Sequence, residues 1–190
     1  MVLECILLGL LAKPASGYDL KREFDTAINH FWYADIAQVY RTLQRMEESG
    51  LLKSKEVESG QGPSRRVYRR TAAGRRKLFA WLRDEPVIGP QRYEYVAQVV
   101  FLGQLGDCDE TLRFLAQTRS QLTSRLAVLK HIADSEPEPD LHKVSDPDFH
   151  AFLGLNLGIQ TTQSRIQWCD EAIALVQQRQ RIAERSHAHD

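Results

Sequence analysis

The apolar positions of the first part of the chain predict three helices in close succession. Residues 2–12 are almost continuously apolar and stop at Lys13-Pro14, which is typical of a buried helix. Ser16 and Asp19 form a capping pattern for a second helix. Its apolar stripe comprises Leu20, Phe24, Ala27, Ile28 and Phe31. A third helix is capped by Asp35 and ends at Gly50. Its stripe comprises Ile36, Val39, Leu43 and Met46.

Two short strands and a fourth helix follow directly. Residues 51–58 and 66–71 are predicted strands, and Gly60, Gly62 and Pro63 supply the turn chemistry between them. Thr71 caps a fourth helix that runs to about Arg83. The inward residues of this helix are Leu78, Trp81 and Leu82. A helix followed by a hairpin with an arginine-bearing tip is the sequence form of a winged helix-turn-helix.

After an interruption at Glu85-Pro-Val-Ile-Gly-Pro90, the remaining chain is predicted to be helical. A short helix spans about 92–105, and a long one follows with apolar residues at alternating three- and four-residue spacing from Leu112 to Ala133. Residues 134–147 contain three prolines and five acidic residues and are expected to form a solvated loop. The last helix carries a heptad seam from Phe152 to Val176.

Charge is distributed unevenly along a chain whose formal net charge is zero. Residues 1–85 hold 15 Lys and Arg against 11 Asp and Glu, whereas residues 86–190 hold 10 against 14. A basic half joined to an acidic half is typical of a DNA-reading domain with a partner domain. Hydrophobic residues make up 43% of the chain, which excludes wholesale disorder.

Cysteine usage and the start of the chain predict a cytoplasmic protein. Cys5, Cys108 and Cys169 are far apart and odd in number, which suits a reducing compartment. The apolar stretch from Cys5 to Ala12 is too short to span a bilayer. Glu4 stands where an export signal would carry positive charge.

Neither catalysis nor a metal site is predicted. The six histidines are scattered, and none has metal-ligand spacing with a cysteine. The sequence contains no Gly-x-Ser-x-Gly element and no phosphate-cradling Gly-Lys-Ser/Thr loop. We therefore expect neither an enzyme nor a bound cofactor.

The third helix carries side chains expected of a DNA-reading helix. Its predicted exposed face comprises Ala34, Gln38, Arg41 and Arg45, with Gln44 beside them. Gln can pair with adenine and Arg with guanine along a major-groove edge. Tyr40, at the border of the apolar stripe, is placed to pack its ring and to reach a phosphate with its hydroxyl. The alternative is an ordinary solvated amphipathic helix, and the hairpin that follows favours DNA reading.

The hairpin tip is the second candidate for DNA contact. Arg65 and Arg66, with Ser64 and the amide of Gly62, can hold a phosphate or enter the minor groove. The next two arginines, Arg69 and Arg70, could extend this surface, and we favour the alternative that they protect the edge of the sheet against aggregation.

The helical half supplies candidates for dimerisation and for ligand binding. The seam residues expected at a dimer interface are Leu155, Ile159, Thr162, Ile166, Cys169 and Ile173. The same seam could be internal core packed on the 112–133 helix, and both can hold at once. The aromatic residues that could line a flat ligand pocket are Tyr93, Tyr95, Phe101 and Trp168. Aromatic residues at helical spacing are more often core, so this alternative stays open.

Four segments, in this order, resemble the PadR family of transcriptional regulators. They are Ser16-Gly-Tyr-Asp-Leu20, Gln38-Val-Tyr-Arg-Thr-Leu43, Glu48-Ser-Gly-Leu-Leu52 and Arg66-Val-Tyr-Arg-Arg-Thr-Ala-Ala-Gly74. The last helix is similar to that of the family's longer members, which include virulence-gene activators. The resemblance implies a homodimer joined through its last helices, a roughly palindromic operator in double-stranded DNA, and a small aromatic effector that lowers DNA affinity. The DNA-binding candidates are then Tyr18, Lys21, Asp35, Gln38, Tyr40, Arg41, Arg45, Ser64, Arg65 and Arg66.

The sequence therefore predicts a mainly α protein with a winged helix-turn-helix and a coiled-coil-like helical domain. The expected bounds are 1–85 for the DNA-binding domain, 86–91 for a linker, 92–180 for the dimerisation and effector domain, and 181–190 for a flexible tail. The predicted function is a dimeric transcriptional regulator, with repression favoured. A ligand-independent activator and a winged helix used for protein interaction are the alternatives.

Overall fold

The computed structural model describes residues 2–29, 31–59, 62–89, 92–135 and 140–187. They fall into two compact units, Met1–Ile88 and Gly89–Asp190. The first unit is a winged helix-turn-helix, and the described part of the second is built from helices. The mainly helical class and the winged helix predicted from the sequence are confirmed. None of the helices in the described ranges combines the length and apolar character that crossing a membrane requires.

Four helices and a three-stranded sheet make up the first unit. The helices are α1 Val2–Leu10, α2 Gly17–Glu23, α3 Ile36–Glu48 and α4 Ala72–Trp81. The strands are β1 Ala15–Ser16, β2 Leu52–Ser59 and β3 Gly62–Arg70. Helix α1 is almost wholly apolar and packs against α2, α3 and α4. The core therefore lies where these four helices meet.

Helix α2 begins at the predicted capping box and ends in an unpredicted π turn. The Asp19 amide donates to the Ser16 hydroxyl at 3.1 Å, and the Ser16 amide donates to the Asp19 carboxylate at 3.2 Å. The π turn spans Phe24–Ile28. Such a turn puts an extra residue into the helical repeat, so the positions after it leave the predicted stripe. Phe24 is fully buried, but Phe31 is 58% exposed, and the inward placement predicted for Phe31 is wrong.

The buried side of α3 agrees with the prediction except at its start. Val39, Leu43 and Met46 are fully buried, as predicted. Ile36 is 51% exposed and Ala34 is buried, which is the reverse of the prediction. The N-cap residue between them has extended backbone, with φ −72° and ψ 163°. The helical period therefore does not reach back to Ala34, which enters the core instead.

Strand β3 lies between β1 and β2, and both pairings are antiparallel. We call the β2–β3 pair the wing. Its inner face packs on the helices and carries Leu52, Ser54, Arg66, Tyr68 and Arg70. Its outer face carries Lys53, Lys55, Val57, Arg65, Val67 and Arg69. Strand β1, only two residues long, was not predicted, and the predicted turn residue Gly60 lies outside the described residues.

Helix α4 starts as predicted and ends earlier. The Gly74 amide donates to the Thr71 hydroxyl at 3.1 Å, which is the predicted cap. Leu78 is buried, as expected. Because the helix ends at Trp81, Leu82 is its C-cap residue and is 62% exposed, so its predicted inward position is wrong.

The second unit is dominated by two long antiparallel helices. Its helices are α5 Glu94–Leu102, α6 Cys108–Ser135 and α7 Asp146–His187, with a 3-10 turn at Gly103–Leu105. Gln180 donates to Asp109 at 2.8 Å, and Arg119 pairs with Asp170 at 2.5 Å, so the two long helices run in opposite directions. Leu115, Leu122 and Leu129 of α6 are buried in this unit.

Helix α7 is longer than predicted. Residues 181–187, predicted to be a flexible tail, are helical, since Arg181, Ala183, Glu184 and Arg185 are good helix formers. Residues 188–190 of that tail, Pro90 and Gln91 of the predicted linker, and residues 136–139 of the predicted loop lie outside the described residues.

Gly74 provides a test of the packing between α4 and the start of the wing. A Cβ at this position would lie 2.3 Å from the Leu51 carbonyl oxygen and 2.9 Å from a Leu8 methyl. We expect Gly74→Ala to lower the free energy of unfolding by about 1–3 kcal/mol, because the backbone must shift to admit the methyl group. Urea-induced unfolding measures this loss.

Gly9→Ala is the matched control, since it is also a helical glycine in the same unit. A Cβ there meets nothing within 4 Å. It should raise the free energy of unfolding by about 0.5–1 kcal/mol through better helix propensity. Equal effects of the two substitutions would contradict the close approach at Gly74.

Candidate DNA-binding surface

Helix α3 is held at its start by Asp35 and presents a polar face to solvent. The Gln38 amide donates to the Asp35 carboxylate at 2.6 Å, which satisfies one of the free amides of the first helical turn. Gln38, Arg41 and Arg45 are all exposed, as predicted. Arg41 has no ion-pair partner among the described residues.

The exposed face of α3 borders an open groove shared with α1. This groove has a volume of about 640 Å³, and Trp32, Gln38, Arg41 and Arg45 are among the residues that line it. The Arg45 guanidinium lies 3.9 Å from the Glu4 carboxylate and 3.4 Å from the Thr42 hydroxyl. Arg45 is therefore directed partly towards α1, whereas the Arg41 guanidinium is more accessible for contact with a ligand.

Glu4 joins three helices at the edge of this groove. Its carboxylate accepts a hydrogen bond from Lys77 of α4 at 2.5 Å and faces Arg45 of α3. The hydrogen bond from Lys77 is the main reason that the pKa of Glu4 is lowered, and burial opposes it. Glu4 thus fixes the end of α1 beside the exposed face of α3.

Tyr40 packs on the first turn of α2. A Cβ on Gly17 would lie only 2.4 Å from the Tyr40 ring, so the ring sits directly against the Gly17 backbone. Tyr40 is still 42% exposed, and the neighbouring Tyr18 is 67% exposed. The contact brings the start of α2 beside α3, so both tyrosines lie on the same side of the unit.

Lys21 is less available than its sequence position suggests. Its side chain is only 19% exposed and forms an ion pair with Asp25, one turn along the helix. The role of Lys21 in DNA contact stays a prediction, and the ion pair with Asp25 has to open before Lys21 can bind a phosphate.

The sequence predicted that Arg66 lies at the wing tip. This prediction is wrong, because Arg66 joins the wing to α3. Its guanidinium donates to the Ser54 hydroxyl at 2.7 Å and to the Glu47 carboxylate at 2.6 Å. The same carboxylate accepts hydrogen bonds from the Ser54 hydroxyl at 2.6 Å and the Ser54 amide at 3.1 Å. We call this group the Glu47 clamp. It forms because strand pleating points Arg66 to the inner face and its neighbour Arg65 to the outer face.

Arg65 is the arginine that remains exposed towards the tip. It acts on Asp19 of α2, whose pKa is lowered chiefly by hydrogen bonds from Ser16 and, to a smaller extent, by Arg22 and Arg65. Arg65 lies near the start of α2 in the sheet register, because Ser16 pairs with Val67, two residues from Arg65. Ser64 next to it is exposed as well.

The two arginines expected to protect the sheet edge point in different directions. Arg70 faces inward and donates to the Leu8 carbonyl of α1 at 3.2 Å, so the edge role predicted for it is wrong. Arg69 is on the outer face and exposed, and it lies just beyond Val67 and Tyr68, the two residues of β3 that pair with β1.

The seam predicted for dimerisation is divided in the structure. Thr162 and Cys169 are buried in one chain, in the unit where α6 packs along α7. Leu155, Ile159, Ile166 and Ile173 are half-buried. Sequence reasoning missed the exposed apolar residues of α7, which are Leu153, Leu157, Leu175 and Ile182. Their spacing, with Leu175 and Ile182 one heptad apart, was the available signal.

Three of the four predicted ligand-binding aromatics lie together. The Tyr93 and Tyr95 ring centroids are 5.7 Å apart, and those of Tyr95 and Trp168 are 6.2 Å apart. Arg165, which the sequence reasoning missed, stacks over Tyr93 at 3.8 Å and lies 6.0 Å from the Tyr95 centroid. Phe101 is 62% exposed and has no ring contact with this group.

The Glu47 clamp yields a prediction about stability. In a double-mutant cycle, Glu47→Ala and Arg66→Ala should show a coupling energy of about 1 kcal/mol. Either single substitution already removes the charge-assisted hydrogen bond between the two side chains, so the second substitution cannot remove it again. Arg66 is 54% exposed, so solvent screening limits the value. The control cycle of Glu47→Ala with Arg65→Ala should show almost none. Equal coupling in the two cycles would contradict the inward position of Arg66.

Family models match both halves of the chain. The model described as the transcriptional regulator PadR-like family matches residues 6–80. The model described as the virulence activator alpha C-terminal region matches residues 91–177. Together they cover the winged helix and most of the helical unit.

Whole-length relatives are similar in sequence and fold. A probable transcriptional regulator of Mycobacterium tuberculosis is 27% identical over 187 residues, which are 93% of this chain and 97% of that protein. The structure of Bacillus subtilis PadR in complex with operator DNA has a TM-score of 0.78 at 24% identity, over 93% of this chain and 99% of that one. The same protein has been solved with p-coumaric acid, at a TM-score of 0.73 and 23% identity. The Vibrio cholerae virulence activator AphA has a TM-score of 0.73 at 26% identity, over 92% and 98% of the two chains.

Proposed function

Because the chain belongs to the PadR-like family of transcriptional regulators, we propose that it is a homodimeric repressor that reads a palindromic operator. The exposed face of α3 is the observation that carries this proposal. Arg41 and Gln38 project from it, and the fold is shared with a regulator solved on its operator. In a winged helix-turn-helix, this helix lies in the major groove, where Arg and Gln distinguish bases.

The roles within the surface differ with position. Arg41, on the exposed face of α3, reads a base edge, whereas Arg65 on the wing holds a phosphate. Tyr18 and Tyr40 direct their hydroxyls to the phosphate backbone of the DNA and fix the position of α3 in the major groove. Arg66 takes no part in the contact, because its guanidinium is engaged by the Glu47 clamp.

The residues left uncovered in the helical unit support a homodimer. Among the described residues, α5 has no buried side chain, and Val100 and Phe101 are 69% and 62% exposed. On α7, Leu157 and Leu175 are 62% and 66% exposed and lie five helical turns apart on one face. Exposed apolar residues in this number mark an interaction surface, and a second copy of the chain would cover them with the same residues.

A virulence activator among the relatives favours transcriptional activation as a second candidate. That protein, from Vibrio cholerae, is 26% identical to this chain over most of both lengths. A reporter fused to the operator-bearing promoter, measured with and without the gene for this chain, distinguishes the two. Higher expression without the gene supports repression, and lower expression supports activation.

DNA reading by α3 can be tested with Arg41. We expect Arg41→Ala to weaken operator binding by about 1–3 kcal/mol and to relax sequence choice at one position in each half-site. Arg65→Ala should weaken specific and non-specific binding alike, with a smaller salt dependence. The operator comes from selection of bound duplexes from a random pool, and fluorescence anisotropy gives the affinities. Loss of sequence choice in both variants would contradict the division of roles.

Dimerisation through α7 can be tested at an exposed position. Leu175→Glu leaves the core of the protomer intact, because this side chain is 66% exposed in one chain. Burying the new charge in an interface would cost several kcal/mol, so sedimentation should give monomers with a folded winged helix. Gln177→Glu adds the same charge on the same helix at an exposed position off the face of Leu175, and this variant should remain dimeric. A dimeric Leu175→Glu variant would show that α7 forms no interface at this face.

We also propose that a small aromatic carboxylate binds at Tyr93, Tyr95, Trp168 and Arg165 and lowers operator affinity. No carboxylate of the described residues lies within ion-pair distance of Arg165, and its guanidinium is already stacked on one ring. A planar acid could stack on the other rings and pair with Arg165. The relative from Bacillus subtilis, solved with p-coumaric acid, supports this ligand class.

The ligand proposal predicts a change in Trp168 fluorescence. In a variant with Trp32→Phe and Trp81→Phe, p-coumarate should quench the fluorescence of Trp168. Arg165→Gln should raise the dissociation constant obtained from this quenching at least tenfold, which corresponds to about 1.4 kcal/mol. Arg179→Gln on the same helix is the control. Linkage requires that the factor by which the compound lowers operator affinity equals the factor by which operator DNA lowers the affinity for the compound. Quenching without any change in operator affinity would contradict the regulatory role.

A further inference from the structure

Ile36 is an exposed apolar residue at the first position of helix α3. It follows the N-cap residue Asp35, and 51% of its surface is exposed. The next residue, Ala37, is exposed as well. The first turn carries no charged side chain, and the arginines of α3 lie further along the helix, at positions 41 and 45. The exposed face of α3 therefore starts with two apolar residues and becomes basic beyond them.

The folding of α3 does not require isoleucine at position 36. The core side of the helix is filled by Val39, Leu43 and Met46, which are fully buried. Isoleucine is β-branched and is a weaker helix former than alanine or glutamate. Acidic side chains in the first turn also gain from the helix dipole, and isoleucine does not. A ligand that covers the exposed half of the side chain would account for this residue, because burial of apolar surface is favourable.

Ile36 belongs to the surface proposed to contact DNA. Residues four apart lie on the same face of a helix, so Ile36 lies one turn before Tyr40. In the same way, Ala37 lies one turn before Arg41. Tyr40 is itself exposed and packs on the Gly17 backbone of α2. The first turn thus extends the proposed contact surface to the N-terminal end of α3, which is the part of such a helix that contacts base edges.

The major groove of DNA offers one apolar group to such a side chain. Thymine carries a methyl group at C5, and the other groups that distinguish the bases there are hydrogen-bond donors and acceptors. Isoleucine cannot pair with a donor or an acceptor, and it would deprive that group of water. Contact with a thymine methyl group instead removes apolar surface of both partners from water. The side chain therefore favours thymine over cytosine, which has an amino donor and no methyl group.

We propose that Ile36 selects a thymine in each half-site by contact with the methyl group of that base. This inference rests on the proposed function as a DNA-binding regulator, and it adds a specificity-determining residue to Gln38 and Arg41. Those two residues distinguish bases by hydrogen bonds. Ile36 makes an apolar contact, whose strength depends on a single methyl group.

The test replaces each thymine of the selected operator in turn by deoxyuridine, which lacks only the methyl group. We expect the replacement at one position to weaken binding of the wild type by about threefold to fivefold per half-site, which is the effect of removing one buried methyl group. Fluorescence anisotropy gives the affinities.

Ile36→Ala should bind the thymine and the deoxyuridine operators with equal affinity, because the side chain that contacts the methyl group is gone. Its non-specific affinity should equal that of the wild type, since no phosphate contact is lost. Alanine is the better helix former, and circular dichroism with thermal unfolding establishes that the variant is folded.

Leu82→Ala is the matched control, since Leu82 is an apolar residue of the same unit that is 62% exposed and lies at the end of α4. It should distinguish the two operators as the wild type does. Arg41→Ala should also distinguish them, although it binds both more weakly, because the methyl contact is separate from the contact that Arg41 makes.

The failure of this inference can be distinguished from the failure of the proposed function. If the wild type binds its operator and no deoxyuridine replacement weakens binding, the inference alone is overturned. A response of Ile36→Ala equal to that of the wild type also overturns it, because another group then reads the methyl. Selected half-sites without a preferred thymine have the same consequence. If the wild type has no sequence-dependent affinity for DNA, the proposed function is overturned together with the inference.

Discussion

The carboxylate of Glu47 fixes the direction in which the wing leaves the recognition helix. It accepts three hydrogen bonds, from the Ser54 amide, the Ser54 hydroxyl and the Arg66 guanidinium. Bonds to a charged acceptor are shorter and stronger than neutral ones, and this carboxylate is mostly shielded by its partners. Gly50, with φ +72°, turns the chain between α3 and β2. Beyond that turn, Gly74 lies against the Leu51 carbonyl. The reading helix and the wing are therefore fixed to each other as one rigid body within the first unit.

The sequence was most informative where structure depends on residues three or four apart. The caps at Ser16, Asp35 and Thr71 all formed as predicted, because a short side chain and a nearby amide suffice for each. Residues Arg65 and Arg66 show where such reasoning stops. They are adjacent, and in a strand only one of them can face outward. A shift of the register by one residue would exchange them, and the register is set by Leu52 and Tyr68 entering the core from two different strands.

The helical unit shows a second limit of sequence reasoning. A three- and four-residue spacing of apolar positions describes one face of a helix, and it is the same whether the partner belongs to the same chain or to another. The predicted seam contains Thr162 and Cys169, which are buried in one chain. Leu157 and Leu175 lie outside the seam and are exposed. They are too far apart to appear as a heptad, and the heptad spacing of Leu175 and Ile182 does not by itself show which face of α7 is covered, so the structure is needed to distinguish the two faces.

The contact between Gly17 and Tyr40 links two positions that are far apart in the sequence. With the Tyr40 ring in place, no side chain fits at position 17, because its first carbon would be 2.4 Å from the ring. Selection therefore cannot act on these positions independently. In lineages that replace the tyrosine with a smaller residue, alanine or serine becomes permissible at position 17, whereas lineages that retain the tyrosine must retain the glycine. The two positions should covary in an alignment of related regulators, as a record of which orientation of α2 on α3 each lineage has inherited.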